Sequence, residues 1–180
     1  MGRTMETPLT KNIRRDGEAS DLAAYEKAGG YQAARKALRM APGEITEAVK
    51  QSNLRGRGGA GFPTGKKWSL IPMGKGAPHP KYLIANADEM EPGTFKDRML
   101  LEGDPHQLIE GMIISGHAIE ADVAYIFVRG EYVVSAQRLA QAVGEAYANH
   151  YLGKNVIGSG YNLEMYVPGG AGRLWGGEEA

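Results

Sequence analysis

Apolar and polar positions alternate between two periods along the second half of the chain. Tyr82-Leu-Ile-Ala-Asn86 is a short apolar run ending in polar residues, which predicts a buried strand. Leu108, Ile109, Met112, Ile113 and Ala118 then recur at helical spacing within 101–119, which predicts an amphipathic helix from about Pro105 onward. Ala124-Tyr-Ile-Phe-Val128 reads as a second buried strand, Val133 to Tyr151 as a second amphipathic helix, and Asn162 to Val167 as a third strand. Strand, helix, strand, helix, strand in this order predicts an α/β fold with a parallel sheet, flanking helices and right-handed crossovers. Ligands of such open sheets sit beyond the carboxyl ends of the strands.

The first half carries weaker signals. Residues 1–20 include Pro8, Asp16 and Gly17 and offer no apolar face, so they read as an extended lead-in whose order depends on docking. Tyr31 to Met40 predicts a short helix, and Pro42 is a first-turn proline opening another through Val49, ended near Asn53. The pattern divides the chain into an N-terminal extension with helices at 1–53 and an α/β domain at 54–180.

Composition changes this picture at three points. The 180 residues carry 21 basic and 21 acidic side chains, so the totals point to no polyanionic partner. There is no cysteine, which excludes disulfides, thiolate zinc sites and an iron–sulfur cluster held by this chain on its usual ligands. Glycine, 26 of 180, stands at about twice its usual share of roughly 7%. The glycines cluster at 56–65, 74–76, 153–160 and 169–177 between periodic segments, as expected of shaped loops on a folded scaffold. Residues 1–15 lack the apolar centre of a secretory signal, and no apolar run approaches the roughly 20 residues of a membrane helix, so the chain is expected to be soluble.

Three loops are candidates for chemistry. The first holds Gly56, Arg57, Gly58, Gly59, Ala60, Gly61, Phe62, Pro63, Thr64, Gly65 and Lys67. Its glycines let backbone lie against a flat ring or a pyrophosphate with amides turned to anionic oxygens, while Arg57 and Lys67 add charge. Gly56 to Gly61 has the spacing G-x-G-x-x-G, but no clear strand leads into it and Phe62-Pro63 interrupts any immediate helix. The standard dinucleotide fingerprint is therefore the wrong label, and a glycine-rich surface loop is the alternative. The second loop follows the first strand and holds Asn86, Asp88, Glu89 and Glu91, suited to accept hydrogen bonds from ribityl or ribose hydroxyls or a heterocycle edge. Its alternatives are a magnesium or calcium site and a solvated acidic turn before a helix. The third loop, after the last strand, ends in Gly177, Glu178 and Glu179. Three such loops suggest convergence on one planar, polyhydroxylated ligand. His79, His106, His117 and His150 lack paired ligand spacing and read as structural or solvent-facing, and no serine or cysteine sits in a nucleophile elbow.

Gly56-Arg-Gly-Gly-Ala-Gly-Phe-Pro-Thr-Gly65 with Lys67-Trp68, and Asn86-Ala-Asp-Glu-Met-Glu-Pro-Gly-Thr94, together resemble the NADH-binding flavoprotein subunit of respiratory complex I, from the family of 51 kDa or F subunits of NADH:quinone oxidoreductase. The resemblance runs from about Tyr25 to Glu179 and includes Phe95-Lys-Asp-Arg98, Tyr125-Ile-Phe-Val-Arg-Gly-Glu-Tyr132 and Leu152-Gly-Lys-Asn155. It implies FMN in a Rossmann-like pocket, hydride transfer from NADH, and electrons passed singly to a [4Fe-4S] cluster. By that resemblance Gly56, Arg57, Gly58, Lys67, Asn86, Asp88, Glu89 and Glu91 contact FMN, while Phe62, Lys67, Glu91, Glu178 and Glu179 help seat NAD(H). No residue acts as acid or base, because the flavin carries the chemistry.

The chain departs from the family where Leu174 and Gly176 stand in place of a tyrosine and a cysteine ahead of the paired acids. The resemblance further implies that the chain is an N-terminal fragment, C-terminally truncated before a ubiquitin-like domain and a helical domain with the cluster cysteines. Expected partners are other peripheral-arm subunits of complex I, above all the 24 kDa-type [2Fe-2S] subunit, on the cytoplasmic side of the bacterial inner membrane. Alternatives are the diaphorase module of an NAD-reducing hydrogenase or of an NAD-dependent formate dehydrogenase, and an inactive nucleotide-binding remnant.

Overall fold

The computed structural model describes residues 7–168. Strands β1 (Tyr82–Ala87), β2 (Val123–Val128) and β3 (Glu164–Tyr166) form a parallel sheet in the order β1-β2-β3. Tyr82 pairs with Val123 and the register continues to Ala87 with Val128, while Val123 to Tyr125 pair with Glu164 to Tyr166. Alternation along the strands turns Ala124, Ile126, Val128 and Met165 into the core and leaves Tyr82, Ile84 and Phe127 on the opposite face, about half or more exposed. Tyr82, Tyr125 and Tyr166 line up across that open face with successive ring centroids 6.2 and 5.5 Å apart.

Among the described residues seven α-helices accompany the sheet: α1 (Leu22–Lys27), α2 (Gln32–Ala37), α3 (Pro42–Gln51), α4 (Thr64–Trp68), α5 (Lys96–Gly103), α6 (Pro105–Ile119) and α7 (Val133–Ala148). Ile109, Met112, Ile113 and Gly116 of α6 recur at one helical face and bury against the sheet, as do Leu139, Ala142, Val143 and Ala146 of α7. The parallel α/β architecture, the three strands and the helices opening near Pro105 and Val133 stand where the pattern placed them, although α7 stops at Ala148 and β3 is shorter than 162–167. Three short helices lacked a recognised local signal: α1, α4 and α5. The expectation that Phe62-Pro63 interrupts any immediate helix is corrected. Helix α4 begins at Thr64, directly after Pro63, because a proline φ of −63° suits the entry to a first turn.

Leu22, Tyr25, Tyr31, Ala34 and Leu38 share one hydrophobic core with α6, α7 and the sheet. One buried and one half-buried glutamate tie these N-terminal helices down. Glu110 of α6 accepts the amides of Tyr31 and Ala34 at 2.9 Å each, at the start of α2, and also the Tyr25 hydroxyl. Burial and the nearby Glu110 carboxylate push the Tyr25 hydroxyl far above its ordinary pKa. Glu145 of α7 accepts the first amide of α1, from Leu22, at 3.0 Å and faces His106 Nε2 at the same distance, while His106 Nδ1 meets the Tyr31 hydroxyl. Burial raises the Glu145 pKa, but hydrogen bonds from Gln141, His106 and Leu22 outweigh it and hold the carboxyl below its usual range. Before α1, Asn12 donates to Asp104 at 2.9 Å and Arg138 to the Gly17 carbonyl at 2.8 Å. The lead-in is thus docked on the α5–α6 junction.

At the amino end of the sheet, the buried Lys81 ammonium donates to Glu120 at 2.9 Å and to the Ile119 carbonyl at 3.2 Å. The Lys81 hydrogen bond, helped by the Gly74 amide, lowers the Glu120 pKa from 4.5. A depressed folded-state value stabilises fully above the unfolded value and is lost as pH falls through the folded one. Glu120→Gln is therefore expected to lower Tm relative to the parent most at pH values above the ordinary carboxylate pKa, with the gap closing as pH falls below it and Glu120 takes up its proton. Thermal melts of both proteins across that range check it, and a constant gap contradicts it.

Candidate functional site

The glycine-rich segment is a closed loop. An isolated antiparallel bridge joins Arg55 to Pro63, the Gly56 amide donates to the Phe62 carbonyl at 2.9 Å, and the Thr64 amide to the Leu54 carbonyl at 2.9 Å. Arg57 through Ala60 are exposed. Gly59 and Gly61 have φ of +116° and +60°, and a Cβ on either, or on Gly58, would meet nothing within 4 Å. Their bare backbone is open to close approach by a ligand. Phe62 is 45% exposed, with the Lys66 ammonium 6.0 Å from its ring, and Lys67 and Arg57 point no charge at a described partner. Gly65 has a different reason to be glycine. A Cβ there would lie 2.6 Å from both the amide nitrogen and Cγ of Lys50, so its missing side chain lets α4 pack on α3.

Asn86, Asp88, Glu89 and Glu91 lie together at the carboxyl end of β1, as the sheet rule requires. The Asn86 side chain accepts the Asp88 amide at 3.0 Å and so turns the chain out of the strand. One Asp88 oxygen, Oδ1, is buried without a hydrogen-bond partner among the described residues, its nearest cation being Arg129 Nε at 3.8 Å. Glu91 is exposed and its side chain engages no described partner. Glu89 differs: its side chain is 2% exposed and its oxygens accept the Asp97 and Arg98 amides.

Sequence reasoning did not single out Arg129 and Tyr132 as site residues. Both follow β2 at the same end of the sheet, and that position was the available signal. The Tyr132 hydroxyl donates to the Glu89 carbonyl, joining the two loops. Among the described residues, no hydrogen bond or ion pair joins loop 55–63 to loop 86–94. Gly177, Glu178 and Glu179, with Leu174 and Gly176, lie outside the described residues. No group of three His, Asp or Glu side chains among those described converges as a metal site. No helix among them is long and apolar enough to cross a membrane.

A parallel sheet with acidic and basic groups at its carboxyl ends, and an open glycine loop followed by two lysines, are features of α/β nucleotide-binding modules. Residues 49–180 match the family model described as the Nuo51 FMN-binding domain, and the chain belongs to that family. It is 58% identical over 159 residues to the second F subunit of NADH-quinone oxidoreductase in Rhizobium meliloti, covering 88% of this chain and 37% of that protein. It is 57% identical over 176 residues to the F subunit of NADH-quinone oxidoreductase in Aquifex aeolicus, covering 97% of this chain and 41% of that protein. The chain thus spans about two-fifths of the length of these relatives. An air-oxidised NAD+-reducing [NiFe]-hydrogenase superposes with a TM-score of 0.61 at 36% identity, over 86% of this chain and 26% of the hydrogenase chain.

The described residues fit a flavin nucleotide. The backbone at Gly58, Gly59 and Gly61 is uncovered, Asp88 Oδ1 lacks a hydrogen-bond donor, and Glu91, Arg57 and Lys67 are exposed with no described partner. Donors and acceptors of both signs are what a phosphorylated, polyhydroxylated ring system needs.

Proposed function

We propose that the chain forms the FMN- and NADH-binding part of an electron-input subunit of an NADH:quinone oxidoreductase. The observation that carries this reading is the uncovered glycine backbone in a chain whose acidic loop leaves β1 at the carboxyl end, within a family named for FMN binding. FMN, when bound, accepts hydride from NADH and releases the electrons singly.

The residues of the chain bind and orient. Gly56, Gly58, Gly59, Ala60 and Gly61 offer backbone to the ligand, and Arg57 and Lys67 balance phosphate charge. Asn86 and Asp88 accept hydrogen bonds from hydroxyl or ring N–H groups. Phe62, held at the loop's edge by Pro63 and Thr64, offers a face for stacking, worth about 0.5–1.5 kcal/mol beyond the area it buries. Glu91 faces the nicotinamide nucleotide, and Gly177, Glu178 and Glu179 complete its seat. None of these groups adds or removes a proton during hydride transfer. No cysteine is present, so the thiolates of any [4Fe-4S] cluster come from outside these 180 residues.

Other peripheral-arm subunits, including the 24 kDa-type [2Fe-2S] subunit, are the partners of this reading, on the cytoplasmic side of the inner membrane. A hydrogenase diaphorase is the second reading, favoured by the structural match. Identity of 57–58% to the quinone oxidoreductase subunits, against 36% to the hydrogenase, supports the first over the second.

Flavin-fluorescence titration of the chain with FMN tests the binding claim, with saturable quenching expected. Glu91→Gln is expected to weaken NADH binding about tenfold, roughly 1.4 kcal/mol, while changing FMN affinity less than about twofold. Equal losses for the two ligands would remove Glu91 from the dinucleotide seat.

A further inference from the structure

Helix α5 starts without a cap of its own. Phe95 precedes it and offers no side-chain acceptor. The acceptor comes from the loop after β1. Glu89 takes the Asp97 amide on Oε1 at 2.8 Å and the Arg98 amide on Oε2 at 3.2 Å. Lys96 Nζ and Arg98 Nε stand 3.9 and 3.7 Å from the same carboxylate. Two unsatisfied first-turn amides and two cations therefore hold one carboxylate, at the helix end where the dipole favours negative charge.

The backbone of Glu89 is held as well. Its carbonyl accepts the Tyr132 hydroxyl, and Tyr132 immediately precedes α7. The Arg98 guanidinium lies 4.8 Å from the Tyr132 ring centroid and donates from Nη2 to the Thr94 carbonyl at 3.1 Å. One residue thus joins the acidic loop, α5 and the start of α7. Its side chain is 2% exposed and both oxygens are engaged, which leaves little acceptor surface for a ligand. Its neighbours differ: Asp88 keeps an oxygen without a hydrogen-bond partner, and Glu91 is exposed.

We propose that Glu89 is a positioning residue that anchors the acidic loop to α5 and Tyr132, so that Asp88 and Glu91 face the bound nucleotides while its own carboxylate touches neither. This rests on the flavin reading above and divides the carboxylates of the loop by role: two bind, and one holds the loop.

The experiment uses the 180-residue chain as parent, Glu89→Gln and Tyr132→Phe, read by amide hydrogen exchange and by FMN titration. Tyr132→Phe removes only the hydroxyl on the Glu89 carbonyl, and it keeps the test open if Glu89→Gln folds poorly. In Glu89→Gln the Asp97 and Arg98 amides are expected to exchange at least about tenfold faster with or without FMN, and FMN affinity to fall roughly tenfold. Tyr132→Phe is expected to lower FMN affinity a few-fold, and the double variant to lose less than the product of the two, because both act through one loop. The absorption band of bound flavin is expected to stay unchanged in both, whereas Asp88→Asn shifts it.

Weakened FMN binding with full protection of both amides would make Glu89 a ligand contact and overturn the proposal. Faster exchange with unchanged FMN affinity would reduce it to a helix cap and overturn it equally. A parent chain that binds no FMN would sink the flavin reading, and the anchor would then stand or fall on the exchange of the two amides alone.

Discussion

Glu110→Ala is expected to destabilise the fold by about 3–5 kcal/mol, a large part of the roughly 5–15 kcal/mol by which a domain of this size is stable. Three buried donors lose their acceptor at once: the Tyr31 amide, the Ala34 amide and the Tyr25 hydroxyl. Each unsatisfied buried donor costs about 1–3 kcal/mol, less where water enters the space left by the side chain. Tyr25 and Tyr31 belong to the core shared with Ile109 and Ile113, so helix α2 cannot lift away without exposing that core. Glu110→Gln keeps one acceptor oxygen and turns an NH2 toward a donor, so it should fall between the parent and the alanine variant. Urea unfolding followed by circular dichroism measures all three. A loss below about 1 kcal/mol for alanine would mean that Glu110 does not hold the N-terminal helices.

The second large effect comes from one methyl group. Gly65→Ala is expected to cost about 1–3 kcal/mol, because its Cβ would meet the backbone nitrogen of Lys50 at 2.6 Å and its Cα at 2.9 Å, contacts that no side-chain rotation relieves. Helix α4 must then move off α3. The Thr64 amide that closes the glycine loop on the Leu54 carbonyl moves with it, so FMN affinity should also fall by about tenfold or more. Gly58→Ala is the control. Its Cβ meets nothing within 4 Å, so stability should stay within about 0.5 kcal/mol of the parent while ligand approach is blocked. Equal stability losses at 58 and 65 would contradict the division into a packing glycine and a ligand-facing one.

The sheet and its two long helices were legible because their signals are local. Ile109, Met112, Ile113 and Gly116 repeat at one helical face, and Ala124, Ile126 and Val128 alternate along a strand. The helix over Tyr31 to Met40 was expected and stands as α2, but the caps of the short helices were harder to read, since the groups that cap α2 and α5 are far away in the chain. Helix α2 starts at Tyr31 with a left-handed φ of 60° and is capped by Glu110, 79 residues away at its first contact. Helix α5 starts after a phenylalanine and is capped by Glu89. Helix α1 did carry a local mark, Asp21 accepting the Ala24 amide, and could have been read from it.

The same limit applied to the site. Asn86, Asp88 and Glu91 could be placed from the end of a predicted strand. That Glu89 is occupied by α5, and Gly65 by the Lys50 backbone, follows only from contacts between distant parts of the chain. Arg129 and Tyr132 lie in a stretch that carries the family resemblance but were given no role, because only the pairing of β1 with β2 brings them beside the acidic loop.

In the proposed function these loops hold a flavin that NADH can reduce. The most direct measurement is the visible spectrum of the purified chain after incubation with FMN and gel filtration, followed by anaerobic NADH. A retained yellow flavin band that bleaches when NADH is added is expected. A chain that emerges from the column colourless, or whose retained flavin stays oxidised in NADH, would contradict it.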